Sequence, residues 1–105
     1  MNTAESGVDL LALSALAAQL PTAWQSRLLG HVGGARIKLA RMDGAASPEE
    51  VHDYTEALIV IDGELRLRIA GANLRVRTGE LCLVPAGTAH AVGEGSAGTL
   101  LIMDT

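Results

Sequence analysis

One cysteine, two aromatic residues and no long apolar run set the first limits on this 105-residue chain. A single cysteine, Cys82, rules out an intrachain disulfide. It sits in the apolar run Leu81, Cys82, Leu83, Val84, which fits a buried, inert thiol. A nucleophile would need an electropositive, partly open setting. With only Trp24 and Tyr54, the chain lacks a stacking platform for single-stranded nucleic acid and offers little to a sugar ring. A net charge of −4 argues against a general affinity for nucleic acid. The apolar segment Leu10 to Leu20 has 11 residues, too few to span a bilayer. It is also a poor signal-peptide core, because residues 1–9 carry Glu5 and Asp9 and no Lys or Arg. The expectation is a cytoplasmic protein without membrane contact.

What is present is hydrophobic and finely punctuated. A hydrophobic fraction of 49% excludes a disordered chain, and the length fits one domain that would gain from self-association. Leu10, Leu13, Ala17 and Leu20 repeat at helical spacing, Ser6 and Asp9 form a plausible capping pair, and Pro21 ends the pattern. This predicts a helix over 8–20, within an N-terminal segment of residues 1–23. From residue 24 the period shortens. Residues 24–32 and 35–42 read as strands around a Gly33-Gly34 turn. Strand character returns near Val51 and is strongest from Ala57 to Ile61, which is apolar at every position and should be covered on both faces.

Asp62-Gly63 reads as a turn. Leu65, Leu67 and Ile69 then alternate with Arg66 and Arg68. After a turn at Gly71-Ala72-Asn73, Leu74 and Val76 alternate with Arg75 and Arg77. The leucines, Ile69 and Val76 should face the core, which sends the four arginines outward as a solvated or interfacial basic face, with Asp62, Glu64 or Glu80 to offset them. Strands at 81–84, 89–92 and 99–103 follow, the last two joined by a flexible link of Gly95, Ser96, Ala97 and Gly98. Short strands at regular spacing with glycine-rich turns indicate an all-β barrel or jelly roll over residues 24–105.

Two spaced clusters carry the chemistry. The first runs Gly44, five residues, Glu50, one residue, His52, three residues, Glu56, six residues, Gly63. The second runs Gly79, five residues, Pro85, one residue, Gly87, two residues, His90, three residues, Glu94. Each joins metal-binding side chains to glycines and prolines that bend strands. A barrel that brings the two together would place His52, Glu56 and His90 around one ion.

In these intervals the chain resembles the cupin superfamily, whose first motif has a His-x-His pair, a glutamate and a glycine, and whose second has Pro-x-Gly, a histidine and an asparagine. Every interval is kept. Glu50 stands where the first histidine is usual, and Glu94 where asparagine is usual. The 15 residues between Gly63 and Gly79 match the short spacer of small bacterial cupins. The resemblance covers residues 44–94. It implies an all-β cupin double-stranded β-helix, a jelly-roll-like barrel, with a short N-terminal α-helix. It also implies a divalent metal inside the barrel and a homodimer, because proteins of this kind often pair.

Two imidazoles and one carboxylate on one side of an ion leave positions open, an arrangement that suits Fe(II) or Mn and accepts Zn, Ni or Co. Glu50 has two readings. As a fourth ligand it makes a divalent centre formally neutral, which polarises bound water less and favours Fe or Mn. As a non-ligand it is a candidate general base beside the ion. Glu50, His52, Glu56, Leu58 and Val60 share strand parity, so the site should lie at the barrel mouth with Leu58 and Val60 deeper. Tyr54 shares the parity of His52 and is either a hydrogen-bond donor to substrate or a rim residue. Glu94 should face solvent, His31 should be a strand-surface histidine, and Trp24 a packing anchor between helix and barrel.

Two functions follow. One is a metal-dependent enzyme of dioxygenase or isomerase type acting on a small polar or anionic metabolite, with Glu50 and Tyr54 as catalytic groups. The other is a non-catalytic metal or small-molecule binding or sensing module. Sparse aromatics and the lack of an inward basic cluster argue against a phosphosugar.

Overall fold

The computed structural model of the chain describes residues 2–3, as backbone, and 7–105. One strand organises it. β5 (Glu56–Ile69) runs for 14 residues and serves both halves of one seven-stranded sheet in turn. Its first half lies between β9 (Ala97–Asp104) and β7 (Leu81–Val84), and β9 continues the sheet through β4 (Ala35–Asp43) to β3 (Arg27–Val32). Its second half lies between β6 (Ala72–Arg77) and β8 (His90–Val92). All these pairings are antiparallel. A separate antiparallel pair joins β1 (Asn2–Thr3) to β2 (Asp9–Leu10). This is the expected all-β architecture.

Asp62-Gly63 is not the turn expected from its composition. The strand continues through it, with a register irregularity between Val60 and Asp62 that leaves Ile61 without a partner on β9. This extra residue bends β5 from the first half of the sheet into the second. The Asp62 carboxylate accepts a hydrogen bond from Ser14 Oγ at 2.5 Å, tying the N-terminal helix to the bend. That bond, with a second from Thr99, holds the Asp62 carboxyl below the usual range.

The helix α1 (Leu13–Ala18) is shorter than the pattern predicts. Asp9 lies in β2 instead of capping it, and Ser6 lies outside the described residues. Ala12 at the N-cap offers no side-chain bond, and no acid stands in the first turn. Six residues do not hold a helix alone. Burial does: Ala17 and Leu20, with Leu13 and Leu16, pack on Leu39, Leu29 and Leu101 of the sheet's outer face.

The main core fills the space between the two halves of the sheet. Met42, Leu58, Val60, Leu65, Leu67, Val76, Val84 and Leu100 are all buried there, and Cys82 packs half-buried against them. Burial raises the Cys82 thiol above its ordinary value, consistent with an inert side chain. Of Ala57 to Ile61, Leu58 and Val60 face this core, while Ala57, Ile59 and Ile61 are half-buried on the other face. Leu74 departs from expectation and is exposed, because β6 is an edge strand with no further strand paired to it among the described residues.

The hairpin at Gly33-Gly34 forms as expected, with Val32 opposite Ala35. The β5–β6 turn falls one step earlier than its composition indicated, at Ala70-Gly71, with Ile69 opposite Ala72. Nor is the segment 95–98 a flexible link. Ser96 is fully buried, and Ala97 and Gly98 open β9. Ser96 Oγ accepts from Arg66 N–H at 2.8 Å, and faces the carbonyls of Gly93 at 3.0 Å and Arg66 at 3.3 Å.

Candidate metal centre

Residues 47–55 do not form the strand expected near Val51. They are a loop laced to β8 by backbone pairing. Glu50 N–H donates to the His90 carbonyl at 2.8 Å, and His90 N–H donates back to Glu50 at 3.0 Å. Ser47 N–H reaches the Val92 carbonyl at 3.0 Å, and Gly87 N–H reaches the His52 carbonyl at 2.8 Å. The two sequence clusters are therefore stitched together through main chain, and their side chains follow.

Glu50, His52 and His90 each offer a ligand atom, and these atoms lie within 4.8 Å of one another. Ligands about 2.1 Å from a single ion stand about 3 to 4 Å apart, so small side-chain rotations close the set around one cation. His52 Nε2 lies 3.3 Å from Glu50 Oε2, and the two imidazole rings lie 5.2 Å apart with a 57° tilt. Glu56 is not a member of this set. It stands beside it, with Oε1 3.6 Å from His90 Nε2. The structure thus brings together all four sequence-predicted ligands but ranks them differently, with Glu50 inside the cluster and Glu56 at its edge.

The chemistry of His90 tests whether a cation fits. Its Nδ1 lies 3.0 Å from the Thr88 carbonyl, which can only accept, so Nδ1 carries a proton. In the neutral ring Nε2 is then a bare lone pair facing the Glu56 carboxylate. A proton or a metal ion placed between the two would satisfy both acceptors. A carbonyl that orients the far side of a ligating histidine is the usual support of a metal site. The Glu50, His52 and His90 set can therefore hold a metal ion.

Behind these donors lies a cavity of about 180 Å³. Its walls are largely apolar, from Leu58, Leu65, Leu67, Leu100 and Ile102, with Glu50, Glu56 and His90 on one side. That volume is below the range of drug-sized sites and suits a compact ligand. Trp24 also lines it, so its place differs from the expected helix-to-barrel anchor. Trp24 adopts φ +66°, in the left-handed region, and is held there by its N–H on the Arg41 carbonyl and its Nε1 on Asp43 at 2.9 Å. Val92 shares the parity of His90 and lines the same cavity.

Tyr54 stacks on His52, with centroids 4.9 Å apart and planes within 14°. Burial, then the negative charges of Asp104 and Glu56, raise its phenol above the ordinary value, with Arg36 opposing. Tyr54 is therefore a protonated donor at neutral pH. His31 is exposed on β3, and Glu94 is exposed past β8, both as expected. The four arginines face outward. Arg75 and Arg66 both bind Glu64, which lowers its carboxyl, at 2.7 Å and 3.1 Å. A larger open groove of about 700 Å³ runs along this outer face and offers no imidazole or thiol.

Sequence reasoning missed one group. Asp104 is buried at the end of β9, with Arg36 Nε 2.8 Å and Lys38 Nζ 2.5 Å from its carboxylate. Arg36 and Lys38 share the face of β4 that carries Ala40 and the core residue Met42. A basic pair therefore lies on the inward-facing side of β4 after all. The only signal was parity with Met42, four and six residues away.

The described residues contain no helix long and apolar enough to cross a membrane. No curated protein sequence matches the chain. The fold is similar to that of several solved structures. A cupin-2 domain containing protein from Shewanella frigidimarina aligns at 20% identity over 90% of this chain and 92% of its own, with TM-score 0.81. A cupin superfamily protein from Desulfitobacterium hafniense aligns at 21% identity, covering 89% and 86%, with TM-score 0.72. KdgF from Halomonas aligns at 18% identity, covering 75% and 74%, with TM-score 0.66. At such identities the likeness concerns the fold alone. The family described as Cupin domain matches residues 40–104, most of the chain and all of the donor residues, and the protein belongs to that family.

Proposed function

We propose that the protein is a divalent-metal cupin enzyme acting on a small anionic metabolite by dioxygenase or isomerase-type chemistry. The observation that carries this reading is the convergence of Glu50, His52 and His90 within 4.8 Å, with Glu56 facing the same imidazole. Two imidazoles with one or two carboxylates suit Fe or Mn and also accept Zn, Ni or Co. A bound ion of this kind supplies Lewis-acid activation and open positions for a chelating acid. The chain's own groups then divide the work. Thr88 orients His90, and Tyr54 offers a protonated hydroxyl beside His52. Glu56 accepts a proton or closes the ligand set, and the apolar walls keep water out.

Elemental analysis of gently purified protein tests the reading. Wild type should hold about one ion per chain, and His90→Ala should hold almost none while keeping its fold, because the Glu50–His90 pairing is made by backbone. A second arm measures turnover, which should require the ion. Turnover that survives complete chelation sinks the enzymatic reading. A metal-free wild type, after loading attempts with Fe(II) and Mn(II), sinks the metal reading.

A binding or sensing module is the second reading. It is favoured by the cavity walls, which beyond the acidic and imidazole side add few groups able to move a proton. Ligand binding without turnover under any metal would select it.

We also propose a homodimer formed through the outer face of the first half of the sheet. Ile37, Met103, Ala57 and Leu83 lie there in one cross-strand row, with Leu39, Leu101, Ile59 and Leu81 in the next. The helix covers Leu39 and Leu101, whereas Leu81 and Leu83 are 55% and 60% exposed. A contiguous apolar patch of this kind marks an interaction surface, and a small domain gains core by pairing it.

A further inference from the structure

The two histidines of the donor cluster are held in different ways. The His90 side chain is 7% exposed, and its Nδ1 lies 3.0 Å from the Thr88 carbonyl. Backbone bonds in both directions with Glu50 fix the main chain beneath it. His52 lies in a loop between the exposed residues Val51 and Asp53, with 23% of its side chain accessible. Its main chain is tied, because its carbonyl accepts from the Gly87 N–H at 2.8 Å. Its ring has no comparable anchor. Among the described residues its Nδ1 makes no hydrogen bond, and its Nε2 faces the Glu50 carboxylate at 3.3 Å. The Glu50 side chain is itself 57% exposed, so it is a poor brace.

Tyr54 supplies the brace that hydrogen bonds do not. Its ring lies 4.9 Å from that of His52, centroid to centroid, with the planes within 14°. Nearly parallel rings at that separation overlap off-centre, the arrangement that aromatic pairs favour over a face-to-face sandwich. β5 begins two residues later, at Glu56, so Tyr54 sits where the loop joins a paired strand. Its hydroxyl makes no hydrogen bond among the described residues, so the ring makes the contact. The stack also distinguishes the two states of the site. A cation on an imidazole nitrogen draws electron density from that ring. The tyrosine face is electron-rich, so the attraction grows when an ion is bound. A ring already turned toward its partners also loses less freedom on binding. Both effects tighten metal binding.

We propose that Tyr54 is a positioning residue of the metal centre, acting through its ring to hold the His52 imidazole toward Glu50 and His90. This rests on the metal reading above and deepens it. The usual support of a ligating histidine is a hydrogen bond to its second nitrogen. His90 has that support from Thr88, and at His52 the stacked ring stands in its place. The role is separable from the hydroxyl, which stays available to a ligand.

The experiment measures the Co(II) affinity of the metal-free full chain by competition with a chromogenic chelator. Tyr54→Phe keeps the π face and should bind within about twofold of wild type. Tyr54→Leu keeps bulk without a π face and should bind about tenfold more weakly, as when the support of a ligating histidine is removed. The visible absorption of bound Co(II) reports ligand geometry rather than stability. It should match wild type in Tyr54→Phe and change in Tyr54→Leu. A second reading needs no variant. In metal-free wild type, proton resonances of the His52 ring should lie upfield of those of His31, because a stacked ring shields them. His31 is exposed on β3 and has no ring contact among the described residues. Ordinary shifts at His52 overturn the proposal while the metal reading stands. So does wild-type affinity in Tyr54→Leu, or a loss in Tyr54→Phe as large as in Tyr54→Leu. A wild type that takes up no Co(II), Fe(II) or Mn(II) overturns both.

Discussion

Gly63 on β5 and Gly98 on β9 face each other as register partners, and both have positive φ, +78° and +112°. A β-carbon on Gly98 would come within 2.8 Å of the Asp62 carbonyl carbon, and one on Gly63 within 2.8 Å of the Ala97 carbonyl carbon. Both obstacles are backbone and cannot swing away. The close approach lies where β5 bends between the two halves of the sheet, so the pair sets how the barrel closes. Gly98→Ala should cost about 3 kcal/mol or more, from backbone strain plus steric displacement. Urea denaturation measures it, and a midpoint equal to wild type would show that the bend does not depend on this contact.

Ser96 is a second point of closure. Its hydroxyl satisfies the Arg66 N–H and faces two carbonyls within 3.3 Å, all inside the fold. Ser96→Ala leaves that buried donor unpaired and should destabilise by about 2 kcal/mol. Thermal unfolding reads the loss, whereas a solvated link would show none.

Asp104 predicts a pH dependence. Burial pushes its carboxyl up, but the hydrogen bonds and charges of Lys38 and Arg36 outweigh burial and hold it below the usual range. A depressed folded value means that the contribution is present above the unfolded carboxyl value of about 3.9 and is lost as pH falls through the folded one. Asp104→Asn should therefore be about 3 kcal/mol less stable than wild type near neutral pH, as for breaking a buried pair. The gap should narrow steadily below about pH 4. Denaturation curves at several pH values test it, and a gap that stays constant into acid would contradict the charged pairing.

Leu83 tests the assembly. It is exposed on β7 at the end of an apolar cross-strand row. Leu83→Glu places a charge in that row without touching the core or the donor cluster. Light scattering after size exclusion should report a dimer for wild type and a shift toward monomer for the variant. A wild type that is monomeric at high micromolar concentration removes the dimer.

Much of the fold and the donor set was legible in the order of residues. Interval patterns of glycine, histidine and glutamate survive because the backbone bends and the ligand types are local requirements. The alternation of Leu65 and Leu67 with Arg66 and Arg68 placed the inward and outward faces for the same reason, and both leucines are buried. Where the reading missed, a distant partner decided. Gly95 to Gly98 have the composition of a loose link, yet Ser96 finds donors and acceptors on Arg66, thirty positions back. Asp62-Gly63 has the composition of a turn, yet pairing with Thr99 and Gly98 keeps it in the strand.

The chain's own sequence determined that it is an all-β cupin with two imidazoles and two carboxylates available to a cation, because donor chemistry and strand periodicity are properties of residues and their spacing. The tertiary structure alone decided which of the carboxylates joins the histidines, since Glu50 reaches His90 through backbone pairing while Glu56 approaches from another strand. It alone revealed Arg36, Lys38 and Asp104 as one cluster, because residues 68 positions apart meet only when β4 and β9 align. Register across strands is a long-range property, and no local pattern encodes it.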